Sequence, residues 1–385
     1  MKKIALTLSL FLVFGMAFGQ SNKVVSAWNY MKPEYNELDK AKEAIDLAAQ
    51  HPKTQGQAKT WYYRGLVYHK LFQTKDEKFK NLDSNPLKEA FLSYVKAKDL
   101  DVKKRYEKDI LFKLTVAGTE FFNKGSMEYE QKKFEESLES FETVLELGRL
   151  PYINQVDTGA FFNAAIAADQ AGLTQKALSY YEKSVELKYG GSDVYHYIAS
   201  LYLSLGDTVK AITTYTDGIA AYPDNSIYLY IQLINHYLGE KELDKAAEFI
   251  RPAVEKDPEN FSLWNVYGLA FEDSNLDEAI IGYTKAIELN PEFFDPYYNL
   301  GTIYFNQGVE ANNEAMNIPL SDEEGYKAAI EKRDKLFDQA LPHYEKAHEI
   351  DGNYGDVLVA LKEIYYRKQM NDKLEEVTKK INDLK

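Results

Sequence analysis

The side chains able to do acid–base, nucleophilic or metal chemistry are spread along this sequence rather than gathered. Its histidines are His51, His69, His196, His236, His343 and His348, and the only close pair, His343 and His348, is spaced so that it does not share a helix face. His348-Glu349 lacks the second histidine with which a zinc-binding helix holds its metal. Gly190-Gly191-Ser192 lacks the Lys-Ser/Thr of a phosphate-binding loop and reads as a helix stop. Glu182 and Glu186 read as a solvated helix face rather than an acid–base pair. Cysteine is absent, which removes disulfides, thiolate metal sites, cysteine nucleophiles and the lipidated cysteine of bacterial lipoproteins. No catalytic residue, metal site or cofactor is therefore expected, and the chain does not read as an enzyme.

What the sequence does concentrate is aromatic side chains, 14% of all residues with 30 tyrosines. The elements that position them repeat. Phe161 and Tyr195, with their surroundings, superimpose at a shift of 34 residues. Tyr195, Ile198, Ala199 and Tyr202 form one helical face, Gly206-Asp207 interrupts it, and Ala211, Tyr215 and Gly218 form a second helix that stops before Pro223. Trp264, Tyr267, Gly268 and Phe271, then Ala279, Tyr283, Ala286 and Pro291, repeat the pattern. Small residues (Gly65, Gly268, Gly301, Ala177, Ala211, Ala279, Ala340) fall where closely crossing helices need room for incoming rings, so most of the aromatics read as packing.

With Trp61 through Tyr68 and Tyr297 through Tyr304 echoing W-x2-L-G-x2-Y, and A-x3-F and P following in several copies, the chain resembles the tetratricopeptide-repeat family. The fold this implies is all-α, a right-handed α-solenoid of antiparallel helix pairs. Pairs are expected to start near Val24, Lys59, Thr119, Gly159, Asp193, Tyr228, Ser262 and Asp295, about eight repeats in all, with a C-terminal capping hairpin from Gly355. The departures of the last pair, including Lys373 at a usually small position, suit a polar cap. Such repeats line a concave groove with the first helix of each pair. The matching positions here are Tyr62, Leu66 and His69; Phe122, Ser126 and Tyr129; Phe162, Ile166 and Asp169; His196, Ser200 and Leu203; Asn265 and Leu269; and Tyr298, Thr302 and Phe305. That groove is aromatic and mildly polar, unlike the Lys, Asn and Arg set with which chaperone-adaptor members hold a terminal carboxylate.

At the N-terminus, Met1-Lys2-Lys3, the apolar run Ile4 to Phe14 and Ala17-Phe18-Gly19 read as a secretory signal peptide over residues 1–19, leaving residues 20–385 as one solenoid. Removal of Lys2 and Lys3 takes the formal charge from −14 to −16, which argues against nucleic acid and against an anionic membrane surface as partners. The repeat is interrupted at about 69–86 and 309–336. In the second interruption Ser321-Asp322-Glu323-Glu324 reads as a capping box opening a long helix, and Pro342, like Pro252, is expected to kink its helix. This insertion is either a projecting hairpin that meets a partner or a lengthened repeat. The chain thus reads as a non-catalytic protein–protein interaction scaffold, periplasmic or secreted, in a bacterial envelope. The alternative is a module that binds peptide or glycan fragments in the same groove.

Overall fold

The computed structural model describes residues 22–319 and 321–384, so the expected signal peptide lies outside the described residues. Among the described residues every regular element is a helix. In chain order these are α1 (22–30), α2 (Leu38–Gln50), α3 (Ala58–Gln73), α4 (Glu77–Lys80), α5 (Pro86–Leu100), α6 (Glu107–Glu130), α7 (Phe134–Gly148), α8 (Thr158–Gln170), α9 (Thr174–Glu186) and α10 (Asp193–Ser204). There follow α11 (Thr208–Ala221), α12 (Ile227–Gly239), α13 (Leu243–Lys256), α14 (Phe261–Phe271), α15 (Leu276–Leu289), α16 (Phe294–Met316), α17 (Glu323–Ile350), α18 (Gly355–Arg367) and α19 (Asn371–Asp383). The chain divides into two compact units, one ending at Val194 and one beginning at Tyr195, and each is a stack of helix pairs of the α-solenoid class.

Most pairs begin where the repeat places them. The exception is α6, which starts at Glu107 rather than near Thr119. The extra turns are held by their own buried stripe, Ile110, Leu114, Ala117 and Phe121, and the Asp101 carboxylate receives the backbone N–H groups of Arg105 and Tyr106 just ahead of the helix. The chain between α3 and α5 outside any long helix is residues 74–85, so His69 is itself helical. In the second interruption, α16 continues to Met316 and α17 runs unbroken from Glu323 to Ile350 through Pro342. Its cap is Asp322 rather than Ser321: the Asp322 carboxylate accepts from the Gly325 N–H at 2.9 Å. Ala311 and Ala315 are the buried residues of α16 beyond Gly308, and small side chains there let the two helices of this hairpin approach closely.

The pairing of small residues with rings is explicit in the packing. A Cβ on Gly65 would stand 2.4 Å from the Tyr94 ring, one on Gly268 2.5 Å from the Tyr283 ring, and one on Gly301 2.8 Å from the Tyr344 ring. In the α14–α15 pair the approach is backbone to backbone as well, since a Cβ on Gly282 would fall 2.5 Å from the Gly268 nitrogen. The two helices of this pair are also tied by two reciprocal bonds. The Tyr267 hydroxyl donates to Glu278 and the Tyr283 hydroxyl to Glu272, each at 2.5 Å.

Candidate functional site

In the first unit the proposed groove residues divide between packing and open surface. Tyr62 stacks on Tyr106 with ring centres 5.0 Å apart and touches Tyr63 and Tyr94; burial pushes its phenol up to about 12. His69 is only 2% exposed and has both ring nitrogens engaged. Its Nδ1 lies 3.0 Å from the Tyr94 hydroxyl and its Nε2 2.5 Å from Glu120 Oε2, while Gln73 donates to the other Glu120 oxygen at 2.6 Å. Burial works to raise the Glu120 carboxyl, but the hydrogen bonds from His69 and Gln73 outweigh it and hold the group below the usual range. His69 thus joins α3, α5 and α6, and together with Leu66 it borders an open cleft of about 290 Å³. Phe122 meets Phe141 edge-on at 5.4 Å and lines a different cleft of about 440 Å³. The Ser126 hydroxyl donates to the Phe122 carbonyl, and Tyr129 packs on Phe134. Phe162 meets Tyr181 and Tyr189, Ile166 is half-buried, and burial raises the Asp169 carboxyl.

In the second unit His196 lies against Tyr215 and meets Tyr228 edge-on at 4.8 Å, with the Ser200 hydroxyl 3.5 Å from its Nε2. Asn265 carries a buried Oδ1 that has no hydrogen-bond partner. The clearest convergence is on α16. Tyr298, Thr302 and Phe305 follow one another by single helical turns and line an open cleft of about 670 Å³ facing α18. Thr302 donates to the Tyr298 carbonyl at 2.8 Å and lies 3.1 Å from the Tyr344 hydroxyl, which fixes the floor. The opposite wall is Asp356, Val359, Glu363 and Tyr366 of α18. Val359 is 60% and Tyr366 69% exposed, unusual for apolar and aromatic side chains facing each other's open side. Glu363 is bonded by Arg367 at 2.6 Å, while Asp356 and Lys362 of the rim make no ion pair among the described residues.

Among the described residues no group of three or more His, Asp or Glu side chains is placed to hold a metal ion, and no helix is long and apolar enough to cross a membrane. Two family models match the chain: "Tetratricopeptide repeat" over residues 193–225, which covers α10 and α11, and "TPR repeat" over 271–308, which covers α15 and the first part of α16. The chain carries tetratricopeptide repeats. A peroxisomal targeting signal receptor of Kluyveromyces lactis is 31% identical over 100 residues, 26% of this chain and 18% of that one. The tetratricopeptide repeat-containing protein trd-1 of Caenorhabditis elegans is 24% identical over 140 residues, 36% of this chain and 17% of that one. The chain therefore spans less than a fifth of the length of these relatives. The C-terminal part of a TPR repeat-containing protein from Cytophaga hutchinsonii matches 68% of this chain and 95% of its own, at 17% identity and a TM-score of 0.45.

Helix α18 is the first helix of a pair like the others. Its groove-facing residues were not among those picked out from the sequence. The signal was present: Asp356, Val359, Glu363 and Tyr366 step by three, four and three, which is a single helix face.

Proposed function

We propose that this tetratricopeptide-repeat protein is a non-catalytic scaffold of the bacterial cell envelope that holds an extended peptide segment of a protein partner. The observation that carries this reading is the cleft between α16 and α18, where Tyr298, Thr302 and Phe305 face exposed Val359 and Tyr366 across about 670 Å³. Rings on both walls suit apolar side chains of a peptide, and hydroxyl groups between them suit its backbone. The envelope location rests on the charged, apolar, small-residue order of the first nineteen residues.

A photo-crosslinking residue at Asn306, which lines the cleft, tests the reading in native cells. The expected result is a defined partner adduct that is lost when Val359→Ser and Tyr366→Ser are combined, while Ile281 on α15, also exposed, yields no such adduct. An adduct unaffected by the paired substitution would overturn the assignment of the cleft.

A further inference from the structure

The small cleft of the first unit differs from the others in sign. Lys32, which follows α1, Lys70 on α3 and Lys113 on α6 all line it, and no carboxylate does. This is a local reversal in a chain whose acidic residues outnumber its basic ones by 60 to 46. Lys32 and Lys113 are half-buried, and none of the three makes an ion pair among the described residues, although short-range Lys–Glu pairs are common elsewhere on this surface. The Glu120 carboxylate behind the wall is already engaged: one oxygen is held by His69 and the other by Gln73. Glu120 feels the charge of Lys113 but, among the described residues, makes no ion pair with any of the three lysines. The remaining wall is partly apolar, with Trp28, stacked on Tyr63 at 5.3 Å, together with Met31 and Leu66, and is completed by His69 and Gln73.

We propose that this cleft binds a phosphomonoester carried on an apolar or aromatic stem. Three ammonium groups against the single Glu120 carboxylate behind the wall leave the cleft net positive, which suits an anion of more than one charge. Lysines act as point charges and suit a tetrahedral phosphate, whereas a planar carboxylate is best held by an arginine fork, which this cleft lacks. A phosphomonoester carries about −1.5 to −2 charges near neutral pH. The apolar wall supplies the contact for the stem, and the cleft volume of about 290 Å³ limits that stem to roughly one ring or a short chain. The site is separate from the α16–α18 cleft and stands without the scaffold reading.

The test is isothermal titration of the full mature chain with phenyl phosphate, inorganic phosphate, benzoate and benzyl alcohol, in low and in 0.5 M salt. Phenyl phosphate is expected to bind saturably, at least tenfold more tightly than inorganic phosphate or benzoate, and to weaken at high salt; benzyl alcohol is expected not to bind. Lys32→Gln combined with Lys113→Gln is expected to reduce phenyl phosphate affinity at least tenfold with unchanged helical circular dichroism, and Lys32→Arg with Lys113→Arg to retain most of it. Benzoate binding as tightly as phenyl phosphate would overturn the phosphate assignment. Binding that ignores the glutamine pair, or no saturation by phenyl phosphate at 10 mM, would overturn the site.

Discussion

Gly268→Ala should destabilise the second unit, although alanine is the better helix former. The added Cβ would lie 2.5, 2.6 and 2.8 Å from three atoms of the Tyr283 ring, roughly 1 Å inside ordinary contact distance. The ring has nowhere to go cheaply. Tyr283 is fully buried, its hydroxyl is held by Glu272, and the facing helix approaches through Gly282. Overpacking of this kind costs about 1–3 kcal/mol, and a severe, triple contact belongs at the upper end. Replacing Gly by Ala inside a helix returns about 1 kcal/mol, so the net loss is about 1–2 kcal/mol. Gly118→Ala is the control with opposite sign. Its Cβ would meet Leu147 at 3.4 Å, so the propensity gain of up to about 1 kcal/mol should survive. Urea denaturation followed by circular dichroism reads both, with the midpoint shifting down for the first and up for the second. Gly268→Ala combined with Tyr283→Leu should lose less than the sum of the two single changes, because the shorter side chain vacates the contested space. A Gly268→Ala protein unfolding at or above the wild-type midpoint would refute the steric account.

Three further outcomes follow from particular residues. Lys241 holds a φ of 61° at the turn between α12 and α13, where the corresponding turn after α10 uses Gly206 at 77°; Lys241→Gly should stabilise the protein by about 1 kcal/mol, read as a higher urea midpoint. Asn265→Leu should leave the melting temperature unchanged or higher, since it removes an unpaired buried acceptor that costs about 1–3 kcal/mol; a lower melting temperature would refute this. Glu120 has its carboxyl held below the usual value, so the stability it contributes is present above the unfolded value near 4.5 and disappears as pH falls through the lower folded value. Melting temperatures measured from pH 6 to pH 3 should therefore fall more steeply for wild type than for Glu120→Gln, and parallel curves would refute the coupling.

The repeat grammar was legible because it is local: Gly206-Asp207, Pro223, and the Trp264 to Phe271 face are each read within a dozen residues. The early start of α6 lies outside the repeat grammar, because it is carried by a second apolar stripe, Ile110 to Phe121, that continues the helix toward its N-terminus. Ring orientation was not legible. Tyr62 and Phe162 occupy groove positions by spacing, yet Tyr62 stacks on a neighbouring ring and Phe162 meets two edge-on, and nothing in the spacing distinguishes them from Tyr298 and Phe305, which also line an open cleft. The lysine cleft is beyond any local reading, since Lys32, Lys70 and Lys113 come from three separate pairs and meet only through the stacking of helices.

The reciprocal Tyr267–Glu278 and Glu272–Tyr283 bonds divide the tyrosines of this chain into two chemical classes. A phenol that donates to a carboxylate inside a helix pair ionises late: Tyr267 is pushed up to about 12, first by burial and then by Glu278, and Tyr283 higher still. Reagents that attack phenolate, such as iodine or nitrating agents, will pass over these and modify open rings such as Tyr35, Tyr326 and Tyr366. Because Tyr366 stands in the wall of the α16–α18 cleft, its reactivity is a built-in gauge of occupancy, read against Tyr35 and Tyr326 of the same molecule without any added label.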